Sequence, residues 1–312
     1  MSIQNFPSGI TSFGVPVIGA QGIPATTGKY FFVSSVTGSN SNPGKNPNTP
    51  VATIASAVAK CTANKADVVV VMPGHAETLA SAGALTVNKA GVTIIGLGTG
   101  SLRPTLTWSA TDSTLAVTAA NVTISNCITT ISIDEVVSMF NITGANCLID
   151  RVDFQPYGAL GATGQALQWL TSGTAAHYLT IQNCKHYPYT AAKTTQVWIN
   201  LHTLTAPRVL NNVASIVGMA HTNSHWIGSA GACTQVEIAN NRVVFLGGTI
   251  TGVITLTTGT TGLIYNNFIA SGTAVGVATV IAADAAYVFE NYWHDKAATS
   301  GFLSPVTGAE GP

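Results

Sequence analysis

A short pattern, an apolar residue, any residue and then Asn, returns down this 312-residue chain at intervals that few folds accommodate. It reads ITISN ending at Asn126, TIQN at Asn183, VLNN at Asn212, IANN at Asn241, IYNN at Asn267 and VFEN at Asn291. Val71, Gly96 and Arg151 fill the same slot in three further stretches, and the intervals run from 24 to 32 residues, about 27 on average. A second column, Leu85, Leu115, Phe140, Trp169, Trp198, Trp226, Ile254 and Ile281, falls between the first at intervals of 25 to 30. Around both columns apolar and polar residues alternate, as Val122 and Ile124 do with Thr123 and Ser125, and Gly, Asn, Ser or Thr closes each run. Period-two runs closed by turn residues are strands.

Two columns sharing one period, with no helical periodicity between them, predict an all-β solenoid of about nine coils, each stacked on the next. At about 4.8 Å per strand the stack would be on the order of 40 Å long. A β-sandwich would explain the strands but not the matched columns. The recurring Asn suits a turn, because it tolerates the left-handed conformation and its amide can bond the identical amide one coil above. A structural ladder of Asn126, Asn183, Asn212, Asn241, Asn267 and Asn291 is therefore expected, all at one turn.

The chain divides into four parts: an arm (1–28), a strand, loop and capping helix (29–66), the solenoid (67–294) and a tail (295–312). KYFFVSS reads as a strand and TGSNSNPGKNPNTP as a loop. VATIASAVAKC (Val51 to Cys61) reads as a helix with Thr49 at the N-cap, Pro50 at N1, and Ala52, Ile54, Ala55, Val58 and Ala59 on its buried side. A helix there would cover the unpaired edge of the first coil. The arm lacks charge until Lys29 yet carries Phe6, Ile10, Phe13, Val15 and Val17 between prolines and glycines. Such side chains gain by burial on a partner, which makes the arm a candidate attachment device.

Only 8% of residues are charged, 12 basic against 12 acidic, where roughly 25% is ordinary. So few cations, scattered, do not neutralise a run of phosphates, and no nucleic-acid partner is expected. No apolar run is long enough to cross a bilayer, and MSIQNFPSGI has no basic and apolar leader, so neither membrane insertion nor export by signal peptide is expected. Five cysteines without CxxC spacing read as buried reduced thiols, consistent with synthesis in a reducing cytoplasm.

The strand, the NPG loop, the helix TIASAVAKC, the strand DVVVVMPGHAET and then GVTIIGLGTGSLRPTLTW together resemble the opening of right-handed parallel β-helix proteins of the pectate-lyase-like class. Within that class the chain is similar to the versions that tailed bacteriophages encode for their virions. The motifs cover Lys29 to about Trp108 and the coil repeat covers most of the rest. The resemblance implies the fold more than any one activity, since the same coil serves lyases, hydrolases, adhesins and capsid accessories.

Polysaccharide cleavage on such a coil would need paired carboxylates, or carboxylates holding a cation beside a basic residue. The densest group is Asp150, Arg151 and Asp153, which also reads as a local ion pair; Asp134 and Glu135 near Asp112 form a weaker group. His221 and His225 have i, i+4 spacing, but the segment runs into a strand, so no metal is expected there, nor any cofactor elsewhere. GLGTG (Gly96 to Gly100) lacks the Lys and helix of a phosphate loop and reads as a tight corner. Strand parity around Trp198, with Val197, Ile199 and Leu201 inward, turns Phe140, Trp169, Trp198 and Trp226 outward as a subunit interface or sugar-stacking ladder; broken parity would put them inside.

These features, with the resemblance, lead to the expectation of a non-enzymatic virion protein, a homotrimer that decorates or cements a capsid and is anchored to the major capsid protein by its arm. The alternative is a tailspike or tail-fibre protein that binds or cleaves a host surface glycan.

Overall fold

The computed structural model describes residues 23–155, 166–187, 195–216, 225–245, 252–271 and 280–295, with three short pieces at 11–12, 15–16 and 304–305. Three short strands make one coil, for example Thr180–Gln182, Lys185–His186 and Thr195–Leu201, and the next coil repeats them as Arg208–Leu210, Val213–Ile216 and His225–Ser229. Each strand pairs in parallel with its counterpart one coil away, as in Thr180↔Arg208, Lys185↔Val213 and Ile199↔Ile227. The chain is thus an all-β parallel solenoid with three faces. The first face runs from Tyr30–Val33 to Ala285–Phe289, the second from Ala76–Leu79 to Tyr292–Asp295, and the third from Leu85–Val87 to Ile281–Ala282.

The stack makes about seven turns rather than nine. The third face has eight strands, which bound seven turns, whereas the nine marks counted in sequence include Val71, whose coil opens with a helix, and Asn291, beyond the last third-face strand.

Where the first face meets the second, the chain bends at one residue. The nine-residue strand Thr123–Ile131 pairs with Thr93–Gly96 through residues 123–125 and with Thr105–Trp108 through residues 128–131. Between them Asn126 takes φ 57°. Arg151, Asn183, Asn211, Asn240, Asn266 and Glu290 occupy the same corner, all with φ between 52° and 57°. Asn tolerates this left-handed geometry better than most residues. The corner is tight enough to require glycine beneath it: a Cβ on Gly96 would lie 2.1 Å from the Asn126 carbonyl oxygen.

The residue after the corner turns inward. Cys127, Val152 and Cys184 hold this place in earlier coils, and Asn212, Asn241, Asn267 and Asn291 in later ones, each Asn at most 1% exposed. Each Oδ1 accepts from the coil before: Asn241 Oδ1 from the Asn212 N–H (2.9 Å) and Nδ2 (3.0 Å), Asn267 Oδ1 from the Asn241 N–H (3.1 Å) and Nδ2 (2.8 Å), and Asn291 Oδ1 from the Asn267 N–H (3.0 Å) and Nδ2 (2.8 Å). Each Nδ2 also donates to a backbone carbonyl, such as Asn241 to Val209 (3.0 Å). The expected single Asn column is therefore two adjacent ones. Asn126 and Asn183 belong to the outward corner, and Asn212, Asn241, Asn267 and Asn291 to the buried ladder.

The helix spans Ile54–Lys60, later than its sequence signals implied. Val51 still pairs with Val33 in extended form, so the N-cap falls to Thr53, whose Oγ1 accepts from the Ser56 N–H at 3.2 Å. Ile54, Ala57 and Val58 are its buried residues, while Ala59 is exposed and Ala52 only half-buried. It packs against Tyr30–Val33, Val68–Val71 and Leu85–Val87, the last being the end strand of the third face. At the other end Ser304–Pro305 pairs antiparallel with Tyr292–Asp295.

The ladder generates a contrast between neighbours. Asn241→Ala removes the acceptor of two buried donors and is expected to cost about 2–4 kcal/mol in urea unfolding, whereas Asn240→Gly at the exposed corner is expected to change stability by less than about 1 kcal/mol. Equal losses at the two positions would contradict the assignment.

Candidate functional site

The acidic group that the sequence singled out sits at the corner and just beyond it. Asp150, 9% exposed, accepts from Arg151 Nε at 2.7 Å on one oxygen, and from Asn183 Nδ2 at 2.8 Å and Gln182 Nε2 at 3.3 Å on the other. Asp153, 2% exposed, is paired with Arg103, which arrives from the corner loop that follows Gly100, and also accepts from Gln155 Nε2 at 3.3 Å. Arg103 is the partner that sequence reasoning missed, because its contact spans 50 residues. Both carboxylates are thus held by cations and amides, which suits tying coils together more than proton transfer. Asp112 and Glu135 are exposed on adjacent turns, the Val137 N–H donating to the Thr111 carbonyl at 2.8 Å, and Glu135 adopts φ 58°.

The aromatic column is inside the coil. Phe140, Trp169, Trp198 and Trp226 are fully buried, which corrects the outward ladder expected from parity. Parity fails within Thr195–Leu201, where Trp198 and Ile199 are both buried. Phe140 pairs in register with Leu170, not Trp169, so the aligned column runs Phe140, Leu170, Ile199, Ile227 and the tryptophans lie one residue earlier. Their rings form a stack, Trp169 on Trp198 at 4.9 Å and 14°, Trp198 on Trp226 at 4.9 Å and 8°, continued through Phe140 to Trp108. Buried aromatic pairs add about 0.5–1.5 kcal/mol beyond area.

His186 stacks on Trp198 at 5.6 Å and 5° in the same interior, and burial pushes its pKa down from 6.5 to about 3. The five cysteines are reduced and buried, and burial raises the Cys61 and Cys127 thiols to about 12, which keeps them protonated and unreactive. His225 begins a strand, as expected, while His221 lies outside the described residues. Among the described residues no group of His, Cys, Asp and Glu is placed to hold a metal. GLGTG forms a corner with Gly98 and Gly100 at positive φ, and Asn126 Nδ2 donates to the Gly96 and Gly98 carbonyls at 2.7 and 3.2 Å. Of the arm candidates, Phe6, Ile10, Phe13 and Val17 lie outside the described residues, and Val15 belongs to a two-residue strand, Val15–Pro16, paired with Thr11–Ser12.

Apart from Tyr178 and Tyr187 on a middle coil, the exposed aromatics among the described residues gather on the last coils of the first two faces. Tyr287 is 70% exposed, and Leu263, Phe289 and Tyr292 are each about 40%. Tyr265 and Phe289 stack at 5.2 Å and 2°, and the Arg242 guanidinium lies 5.8 Å from the centre of the Phe268 ring. Beside them Glu237 accepts from Arg208 Nε at 2.6 Å and the Tyr265 hydroxyl at 2.8 Å. Burial raises the Glu237 pKa, but these two hydrogen bonds and the Arg208 charge hold it below the usual range. The signal was present in sequence as IYNNF and YVFENY, where residues flanking the Asn step face out.

Comparison with known protein families, with curated proteins and with solved structures finds no match to this chain.

Two measurements test the local chemistry. Asp153→Asn leaves the largely buried Arg103 without its counter-charge and should cost about 3 kcal/mol, whereas Asp150→Asn, beside the half-exposed Arg151, should cost about 1 kcal/mol; similar small losses at both would show Asp153 to be solvated. His186 sets the second test. The unfolded chain binds a proton at this residue below about pH 6.5, the folded chain only near pH 3, so stability is full above 6.5 and declines as the pH falls between these values. The loss is about 1.4 kcal/mol per unit, about 2 kcal/mol at pH 5. Urea unfolding of His186→Phe should lack that component, and an unchanged pH dependence would contradict it.

Proposed function

We propose that the chain is a non-enzymatic structural protein of a tailed-phage virion: a homotrimer that decorates or cements the capsid, bound to the major capsid protein through residues 1–28. The observation that supports this reading is the engagement of Asp150 and Asp153, the strongest candidates for acid–base work: Asp153 pairs with Arg103 of another coil, and Asp150 pairs with its neighbour Arg151 and accepts from Asn183 and Gln182 of the next coil. A passive scaffold uses its polar groups in this way, fixing geometry instead of moving protons.

The alternative, a tailspike or tail-fibre protein that binds or cleaves host polysaccharide, draws on a different observation, the stack of half-buried Tyr265 on exposed Phe289, with Tyr287 and Tyr292. Aromatic faces flanked by Arg and Glu suit neutral sugar rings as well as protein partners.

Particles from a phage encoding the chain without residues 1–28 separate the possibilities. The structural reading expects a folded protein in the lysate and its loss from purified virions. Normal occupancy would place attachment on the coil surface, and release of reducing ends from host polysaccharide by the intact protein would make it an enzyme.

A further inference from the structure

The charged residues are unevenly shared among the three faces. Asp150, Arg151, Asp153, Lys185, Arg208, Glu237 and Arg242 all belong to strands of the first two. None of the eight strands of the third face contains Asp, Glu, Lys or Arg. Its outward row passes in unbroken register from Thr86 through Asn141, Thr171 and Asn200 to Thr255 and Ala282. These six are half-buried, and they alternate with Leu85, Val87, Phe140 and Ile142, which are fully buried.

A sheet face that remains in water normally carries charge, which keeps copies apart. A face that meets another protein sheds it. Short Thr, Asn, Ala and Gly side chains leave a level surface whose hydroxyls and amides can pair with neighbouring copies that turn the same face toward a threefold axis, and no like charges oppose each other there. Seven coil spacings give a length of about 34 Å, and strands of two to seven residues give a width of roughly 7–23 Å. The resulting area, about 240–780 Å² before side-chain relief is counted, comes near the ~800 Å² that each partner buries in a standard interface where the strands are longest. A charged partner would find nothing on it to pair with.

We infer that the outer face of this eight-stranded sheet is the seam on which copies of the chain meet. The inference rests on the homotrimer proposed above and names the surface that makes it. The aromatic patch of the last coils, on the other two faces, then stays free for a different partner.

Light scattering coupled to size exclusion at micromolar concentration tests it on the full chain. The wild type should show three times the 32.0 kDa chain mass. Thr171→Lys and Asn200→Glu, made separately, should lower the mass to that of one chain while the circular dichroism of the folded protein is retained. Leu263→Arg on the first face should leave the trimer intact, and so should deletion of residues 1–28. A variant that fails to fold leaves the decision to the other. Trimeric third-face variants would overturn the seam while sparing the homotrimer; a trimer lost on deleting residues 1–28 would overturn it in favour of interlocked arms. A monomeric wild type would overturn both. A dimer that both third-face variants split would uphold the seam and correct the number of copies.

Discussion

Vertical pairing between coils is the constraint on which the rest of this structure depends. Every strand of the three faces pairs in parallel with its counterpart in a coil above or below, so a slip of one residue in one coil would displace all of its side chains. Two devices hold the register. The left-handed residue at the corner fixes where each coil bends, and the residue after it locks one coil to the next. In the second half of the solenoid that lock is the Asn ladder, whose amides leave neither donor nor acceptor buried without a partner. In the first half Cys127, Val152 and Cys184 occupy the same place; Cys127 and Val152 fill it by packing, and the Cys184 N–H donates to Asn212 Oδ1 at 2.9 Å, where the ladder begins.

The same constraint governs what the surface can do. With the tryptophans stacked inside, large rings fill the interior instead of the surface. Among the strands of the three faces charge is confined to two, and Arg103 with Asp153 and Arg208 with Glu237 join residues of different coils. Stability and surface chemistry therefore come from one repeated unit. A change in one coil is felt mainly by its neighbours, as expected of a solenoid.

The solenoid was legible in the sequence because period and strand chemistry agreed over most of the chain. The register within it was legible only to one residue. At Asn211–Asn212, Asn240–Asn241 and Asn266–Asn267 the corner and ladder residues are adjacent and identical, so spacing alone could not say which turned inward. The pairs Trp169–Leu170, Trp198–Ile199 and Trp226–Ile227 hid the other column in the same way, because both members are buried and strict alternation fails. Arg103 reaching Asp153 was invisible for a further reason: the contact depends on how two corners overlie, which no local pattern encodes. The exposed rings at Tyr287 and Phe289 followed from the corner position of Glu290, once the left-handed residue was known.

Side-chain amide exchange addresses the register most directly. In the protein labelled with ¹⁵N-Asn and transferred to deuterated buffer, the Nδ2 protons of Asn212, Asn241, Asn267 and Asn291 are predicted to persist as long as the core backbone amides, while those of Asn211 and Asn240 exchange at once. Rapid loss from Asn241 and Asn267, at a rate equal to that of the corner residues, would contradict the buried ladder and the coil register built on it.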